Sequence, residues 1–527
     1  MLFLLSSLPI VWIIIGMAIL NWPARKVLPV GLILTTTIAG LFWQIGWLEI
    51  LGLWLIGALR ATEILLIIFG AVWLLEVLKQ TKQIQIIQAS LASIHPDARV
   101  QLLLVGYAFG SFLEGIAGFG TPAAIAAPLL VSLGFQPITA IITSLIFNST
   151  AVTFGASGTP MLAIFGLVEP QSQAWILQTT ALIHVLVGLL VPIVGMLIYL
   201  KGIRKLPGWT VVQEILPLCL VTAGLFLATY YLAAVWLGPE LPSILGGLVA
   251  LIGIVVLAKR GWLIPTNNLL PEEPTTSVVT RAHFTVGQLV KAWLPYGLIA
   301  SVLLITRVRS LGLRDWLSQM QVVIPNLFGV DSLDYQVAAL MLPGLLPFLP
   351  VVLLTYCLFP RPFQDWQVSL LNTVSKLRPA TITLVSTLAL VSLLRFNSPH
   401  STIDASMVNT MANQIIALGG QYLVWLAPLI GALGAFLTGS STVSNLLFGP
   451  LQLSANQALG YSQPILIVGQ LVGSAFGNIF AISNILAAMA TVGLTSGESQ
   501  IFRYLLAVTI GFLLLFALLL GGLAWLG

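Results

Sequence analysis

The stretch GSFLEGIAGFGTPAAIAAPLL, Gly110–Leu130, sets one carboxylate, Glu114, in an apolar run punctuated by Gly115, Gly118, Gly120 and Pro122. The run has no polar face on which an acid would simply be solvated. The chain around it is 58% hydrophobic and only 7% charged, with a mean hydropathy of +1.04. About a quarter of the residues of an ordinary soluble domain are charged. A soluble fold could not hide this much apolar surface, so the chain reads as an integral membrane protein. The apolar runs are long and unbroken rather than short and alternating, which makes it an all-α polytopic membrane protein, since only helices and closed barrels satisfy their backbone in lipid. At roughly 20 residues per span, about 12 to 14 crossings are expected, with broken or re-entrant pieces among them. The first run, FLLSSLPIVWIIIGMAIL (3–20), lacks a basic leader and a small-residue cleavage site and reads as a retained helix.

The basic residues cluster in particular loops. Arg25 and Lys26, Lys79, Lys82 and Arg99, Lys201, Arg204 and Lys205, Lys259, Arg260, Arg281 and Lys291, and Arg361, Lys376 and Arg378 thread to one side of a membrane. The positive-inside rule makes that side cytoplasmic and puts the N-terminus outside the cell's inner (plasma) membrane. The basic balance is thereby explained without a nucleic-acid partner; the bilayer is the partner. Cys219 and Cys357 both lie in apolar runs, so no disulfide framework is indicated. His95, His184, His283 and His400 show no metal-ligand spacing, and no cofactor motif is present. His184 reads as a packed, hydrogen-bonded histidine, with a proton relay as the alternative.

The only long polar stretch, PTNNLLPEEPTTSVVTRAH within 259–291, suits a cytoplasmic linker between an N-terminal half, 1–258, and a C-terminal half, 292–527. The halves echo one another. GSFLEG (110–115) recurs as GAFLTG (434–439), and LGFQP (133–137) as LGYSQP (459–464), at similar spacing. Each copy then runs into a polar, glycine-containing segment, NSTAVTFGASGTP (148–160) and GSAFGNIFAISN (473–484). Packing glycines in unrelated helices would also produce such matches one at a time; their order favours two pseudo-symmetric, inverted repeats. Secondary transporters built this way bind solute at mid-membrane on discontinuous helices. Breaking a helix exposes N–H groups and a positive dipole end, an anion site that needs no fixed cation.

An acid at mid-bilayer costs several kcal/mol and usually marks a pathway or proton relay. Low dielectric disfavours the anion, which suits Glu114 as a proton-coupling group. The bland alternative is a neutral acid pinned by hydrogen bonds at a helix break. The second copy has Thr438 in its place, and no Asp, Glu, Lys or Arg occurs between Ala405 and Gly497. The hydroxyls and amides of 438–445 are too dense for interhelical hydrogen bonds alone and resemble a clamp for a small hydrophilic solute. The substrate-binding candidates are therefore Gly118, Gly120, Thr121, Asn148, Ser149, Gly158 and Thr159 in the first copy, and Thr438, Ser440, Ser441, Thr442 and Asn445 in the second. Glu63 and Glu76, about 20 Å apart on one helix, read as interfacial. Arg307 and Arg395, at predicted helix ends, could snorkel or bind an anion.

EGIAGFGTPAAIAAPLLVSLGF (114–135) resembles the signature of the lactate permease family. NSTAVTFGASGTPM (148–161), LGPELPSILGGLV (237–249), KAWLPYGLIASVLLITR (291–307) and GALGAFLTGSSTVSNLLFGPLQ (431–452) resemble its further blocks, in family order. The resemblance implies a secondary active transporter of the ion-transporter superfamily that imports a small 2-hydroxy monocarboxylate, L-lactate, glycolate or D-lactate, together with protons. Three departures stand out. Ser441 replaces an acid of the family pattern. GSAFGNIFAISN stands where a Lys and a Ser-Pro-Gln segment are expected. SLLRFNSPH (392–400) stands where the family has an uncharged Asn-Tyr-Ser-Gly stretch. These keep open a sodium- or proton-coupled carrier of a different small organic anion. An intramembrane enzyme would need a metal motif or a nucleophile–base pair, and neither is found. Assembly into a homo-oligomer stays open.

Overall fold

A computed structural model describes residues 1–527 apart from 21, 119–120, 208, 273–283, 308–310, 331–332, 343, 399–400, 402 and 527. The chain is a helical bundle. Among the described residues nine helices are long and apolar enough to cross a bilayer, or up to ten if the pair Ile465–Phe480 and Ile482–Thr491, bent by 43°, is one span. That is fewer full spans than the apolar runs suggest. Several runs become shorter apolar helices, 2–17, 122–132, 345–358 and 423–438.

One order of elements occurs twice. A long helix (Trp47–Gln80; Phe363–Arg395) is followed by a shorter one (Gln83–Ala92; Met407–Gly419). Next comes a helix that stops at a glycine of positive φ. Gly110–Ile116 ends before Gly118 (φ +55), and Leu423–Thr438 ends at Gly439 (φ +70). A helix leads away from each stop, Thr121–Ser132 and Ser441–Ala458. The following helix is interrupted by a 3₁₀ turn: Pro137–Asn148 by Ser149–Phe154, and Ile465–Gly477 by Asn478–Phe480. Each set closes with an apolar span, 170–203 and 498–525. Helices Thr210–Trp236 and Pro242–Arg260 stand between the sets.

The two long helices form the central seam. At Gly57 an added Cβ would collide with the backbone of Ala389, so the seam closes only because a glycine lets the backbones touch. Beyond the seam, helix Gly110–Ile116 continues a π-helical stretch, Leu102–Phe109, and packs on Pro242–Arg260.

Each stopped helix and the helix leading away from it form a hairpin, 98–132 and 423–458. The feet of the first are tied to the linker. Arg99 Nη2 donates to Asn267 O at 2.7 Å and Leu269 N donates to Asp97 Oδ2 at 2.9 Å. Thr139 Oγ1 donates to Glu272 Oε1 at 3.0 Å. This end also carries Arg204, whose Nη1 donates to Leu270 O at 3.0 Å. The linker's first part is thus strapped across the bundle rather than free, because Asp97 and Arg99, both buried, draw its backbone in. Residues 273–283, including Arg281 and His283, lie outside the described residues. The second hairpin's far end, around Asn456 and Gln463, lies with Leu167 and Arg395 at the other end of helix Gly155–Phe165. The sole departure from an all-helical fold among the described residues is a two-stranded antiparallel ribbon at that same end, Val322–Ile324 with Tyr335–Val337, in register Val323↔Gln336.

Candidate functional site

The breaks of the two sets meet. Glu114, Gly118, Val152, Gly155, Ala156 and Pro160 from the first face Gly439, Ser440, Ser441, Thr442 and Asn478 from the second around a void of about 20 Å³. Among the described residues that line it, Glu114 is the only acid and none is Lys, Arg or His. A void of this size holds about one water molecule. A three-carbon anion would enter only if the walls part.

Glu114 is 3% exposed. Its Oε2 accepts a hydrogen bond from Asn148 Nδ2 at 2.8 Å. Its other oxygen lies against Gly155, where an added Cβ would overlap it. Gly155 opens a sharp reversal. Ala156 (φ 43, ψ 57), Ser157 (φ 51, ψ 45) and Gly158 (φ 80, ψ 12) are successive left-handed residues. For a non-glycine residue that conformation costs roughly 1–2 kcal/mol, and such strain collects at binding sites and switches. Thr159 Oγ1 helps hold the reversal, donating to Ala156 O at 2.6 Å, and Gly158 packs against the carbonyl of Pro239.

In the second set, Thr438 Oγ1 turns back on its own helix, 2.8 Å from Gly434 O and 3.0 Å from Ser440 O, and accepts from Ser440 N at 3.3 Å. Ser440 caps helix Ser441–Ala458, its hydroxyl accepting from Val443 N at 3.3 Å. Ser441 Oγ shares a hydrogen bond with Ser474 Oγ at 2.6 Å. Asn445 Nδ2 donates to Pro160 O at 3.1 Å, and its Oδ1 accepts from Gln470 Nε2 at 3.3 Å. The Asn445–Pro160 bond joins one set to the other.

The structure therefore brings Glu114, Gly118, Ser440, Ser441 and Thr442 to one void. Asn148 stands behind Glu114. Ser149 follows it with a buried hydroxyl that has no hydrogen-bond partner among the described residues. Thr438 and Asn445 support the walls instead of lining them, while Gly158 and Thr159 form the reversal. Gly120 lies outside the described residues, as does the side chain of Thr121. Sequence reasoning missed the role of Gly155 and the left-handed turn at Ala156 and Ser157, two residue types that do not announce positive φ. His184 is fully buried, with Nε2 2.7 Å from Thr153 Oγ1 and its ring stacked on Phe476 at 6.1 Å.

Two larger cavities lie beyond the reversal. One of about 700 Å³ reaches from Thr159 and Leu446 to Arg60, Arg314 and Phe396. Another, of about 390 Å³, is lined by Ser406, Asn409, Asn456 and Gln463. Arg395 lines both.

A bundle of membrane-spanning helices in which two interrupted helices meet at a buried acid and a row of hydroxyls defines a multi-pass membrane permease. The pattern of the L-lactate permease family matches residues 2–526, and the chain belongs to that family. The resemblance in the signature blocks is thus borne out along the whole sequence. The L-lactate permease of Escherichia coli (strain K12) is 31% identical over 90% of this chain and 84% of its own length. The glycolate permease GlcA of the same organism is 27% identical over 98% and 94%. These relatives are permeases, not enzymes. Among solved structures, the YdaH transporter of Alcanivorax borkumensis aligns over 88% of this chain and 85% of its own at a TM-score of 0.40 and 15% identity.

Proposed function

We propose that the chain imports a small 2-hydroxy monocarboxylate, lactate or glycolate, with protons across the cell's inner membrane. The observation that carries the reading is the meeting of the two breaks: a buried carboxylate on one side, and the hydroxyls at the start of helix Ser441–Ala458 on the other. The substrate carboxylate is held by backbone N–H groups and the hydroxyls of Ser440, Ser441 and Thr442, with Glu114 as the proton carrier. A protonated Glu114 accepts a neighbouring carboxylate without like-charge repulsion, and a deprotonated one opposes it. Binding of anion and proton is thereby coupled. The two sets act as inverted repeats whose hairpins part alternately toward each end, and the basic end, with Arg99, Lys201 and Arg204, faces the cytoplasm. The N-terminus is then outside.

A sodium-driven cycle is the second reading. In its favour, Asn148 Oδ1, Ser149 Oγ, Thr150 Oγ1 and Ser157 Oγ are buried without hydrogen-bond partners among the described residues, and hard cations are bound by such oxygens. Uptake of labelled lactate and glycolate into proteoliposomes, with pH and sodium gradients imposed separately, decides. Accumulation under an inward proton gradient alone supports the first reading; accumulation that needs sodium supports the second; uptake of neither anion sinks both.

A further inference from the structure

Arg395 ends helix Phe363–Arg395 at the wall shared by the two larger cavities. Among the described residues its guanidinium makes a single hydrogen bond, Nη2 to the carbonyl of Leu167 at 3.1 Å. Among the described residues it forms no ion pair, whereas Arg60 is paired with Glu63 at 3.0 Å and Arg99 with Asp97 at 2.8 Å. The described lining of these cavities carries five further charged groups, Arg60, Glu63, Glu169, Glu240 and Arg314. Glu63 is held by Arg60, Glu169 accepts from Gln171, and Glu240 and Arg314 line the larger cavity from other segments. An arginine presents several N–H donors in a planar fork that matches a carboxylate, and one bond to a carbonyl leaves most of them unused. Beside the charge, the larger cavity offers apolar wall from Leu53, Ile56, Ile64, Ile67, Leu162 and Leu388. A cation at one edge of an apolar chamber suits an amphipathic organic acid.

We propose that Arg395 is an outer binding site for monocarboxylates, holding the carboxylate at the cavity wall while the apolar part of the ligand lies against the larger chamber. The site is separate from the central void, since the reversal at Ala156–Pro160 stands between them, and Thr159 belongs to the outer chamber where Pro160 belongs to the void. It deepens the transport reading by giving the anion a station on its route, and it rests on that reading only for this role. An outer chamber of about 700 Å³ has room for a substituent that the void of about 20 Å³ lacks. The site therefore has room for 2-hydroxy acids bulkier than lactate or glycolate.

The test uses mandelate, an aromatic 2-hydroxy monocarboxylate, as probe. Its binding to the purified full-length chain is titrated calorimetrically for the unaltered protein, Arg395→Gln and Arg395→Lys, with monodispersity and thermal midpoint as folding controls. Saturable binding is expected in the unaltered chain, weakened at least about tenfold in Arg395→Gln and less in Arg395→Lys, which keeps the charge but not the fork. Equal binding by a folded Arg395→Gln, or no binding by the unaltered chain, overturns the proposal. If Arg395→Gln does not fold, Arg395→Lys decides: affinity equal to the unaltered chain overturns it and weakened affinity upholds it. Labelled glycolate uptake, measured in parallel, reports on transport independently: mandelate binding that depends on Arg395 in a chain that moves no glycolate would uphold the site and sink the carrier.

Discussion

Asn148 Nδ2 donates to Glu114 Oε2 at 2.8 Å, tying the tip of the first hairpin to the residue at which the next helix breaks. An amide donor at this place can serve both forms of the acid, since a protonated carboxyl still offers a carbonyl oxygen. The acid can therefore change charge without losing its place.

Glu114→Gln retains an acceptor for Asn148 and imitates the protonated state. It should keep binding and anion exchange while losing accumulation driven by a pH gradient. The measurement is counterflow beside gradient-driven uptake in the same proteoliposomes. Accumulation by this variant under an inward proton gradient would make Glu114 structural.

Gly155→Ala puts a methyl group where Glu114 Oε1 lies. Overpacking a tight interior costs about 1–3 kcal/mol, and here the atom that must give way is the proposed proton carrier. Uptake should fall far more than the thermal midpoint. A variant with normal uptake would show that the Glu114–Gly155 approach is incidental.

Ser441 and Ser474 share a hydrogen bond across two helices at 2.6 Å. Ser474→Ala leaves Ser441 Oγ without this partner in a buried place, at about 1–3 kcal/mol, whereas after Ser441→Ala the Ser474 hydroxyl still donates to Leu471 O at 3.0 Å. The double variant should be less harmful to stability than the sum of the two, and a double-mutant cycle on thermal unfolding measures that coupling. If Ser441 also binds substrate, Ser441→Ala raises half-saturation for uptake and Ser474→Ala does so less. Identical kinetic effects would limit Ser441 to a structural part.

Arg99 is buried against Asp97 and also bonds Glu214 Oε2 at 3.0 Å and Asn267 O at 2.7 Å. Arg99→Met strands the fully buried Asp97, a loss of about 3–5 kcal/mol. The strap across the hairpin's feet should loosen, seen as faster proteolysis between residues 260 and 272. Replacing Asp97 by Asn in the same chain should recover part of the loss; no recovery would mean that Arg99 acts through packing alone.

Composition determined a membrane protein, because 7% charged residues cannot coat a soluble surface, and the long unbroken apolar runs made it helical. The glycines at 118 and 439 marked the breaks, since a backbone of positive φ favours glycine. The acid at 114 stood out in the sequence because its apolar run has no polar face to solvate it. The order of the motifs placed the chain in its family. Tertiary structure alone decided that Ser440, Ser441 and Thr442 reach the void while Thr438, one residue before the turn, bonds back to its own helix. A hydroxyl's partner depends on which face of the broken helix meets the other set, and no local pattern records that. The reversal at Ala156 and Ser157 was equally hidden, because it is imposed by packing against Glu114, Gly118 and Pro239 rather than by the residues' own preference. Arg395 could be read as a charge at a helix end that snorkels or binds an anion, with no pocket assigned to it. Its place between two cavities arises from segments far apart in the chain, around Leu167, Ser406 and Gln463, which only the folded bundle brings together.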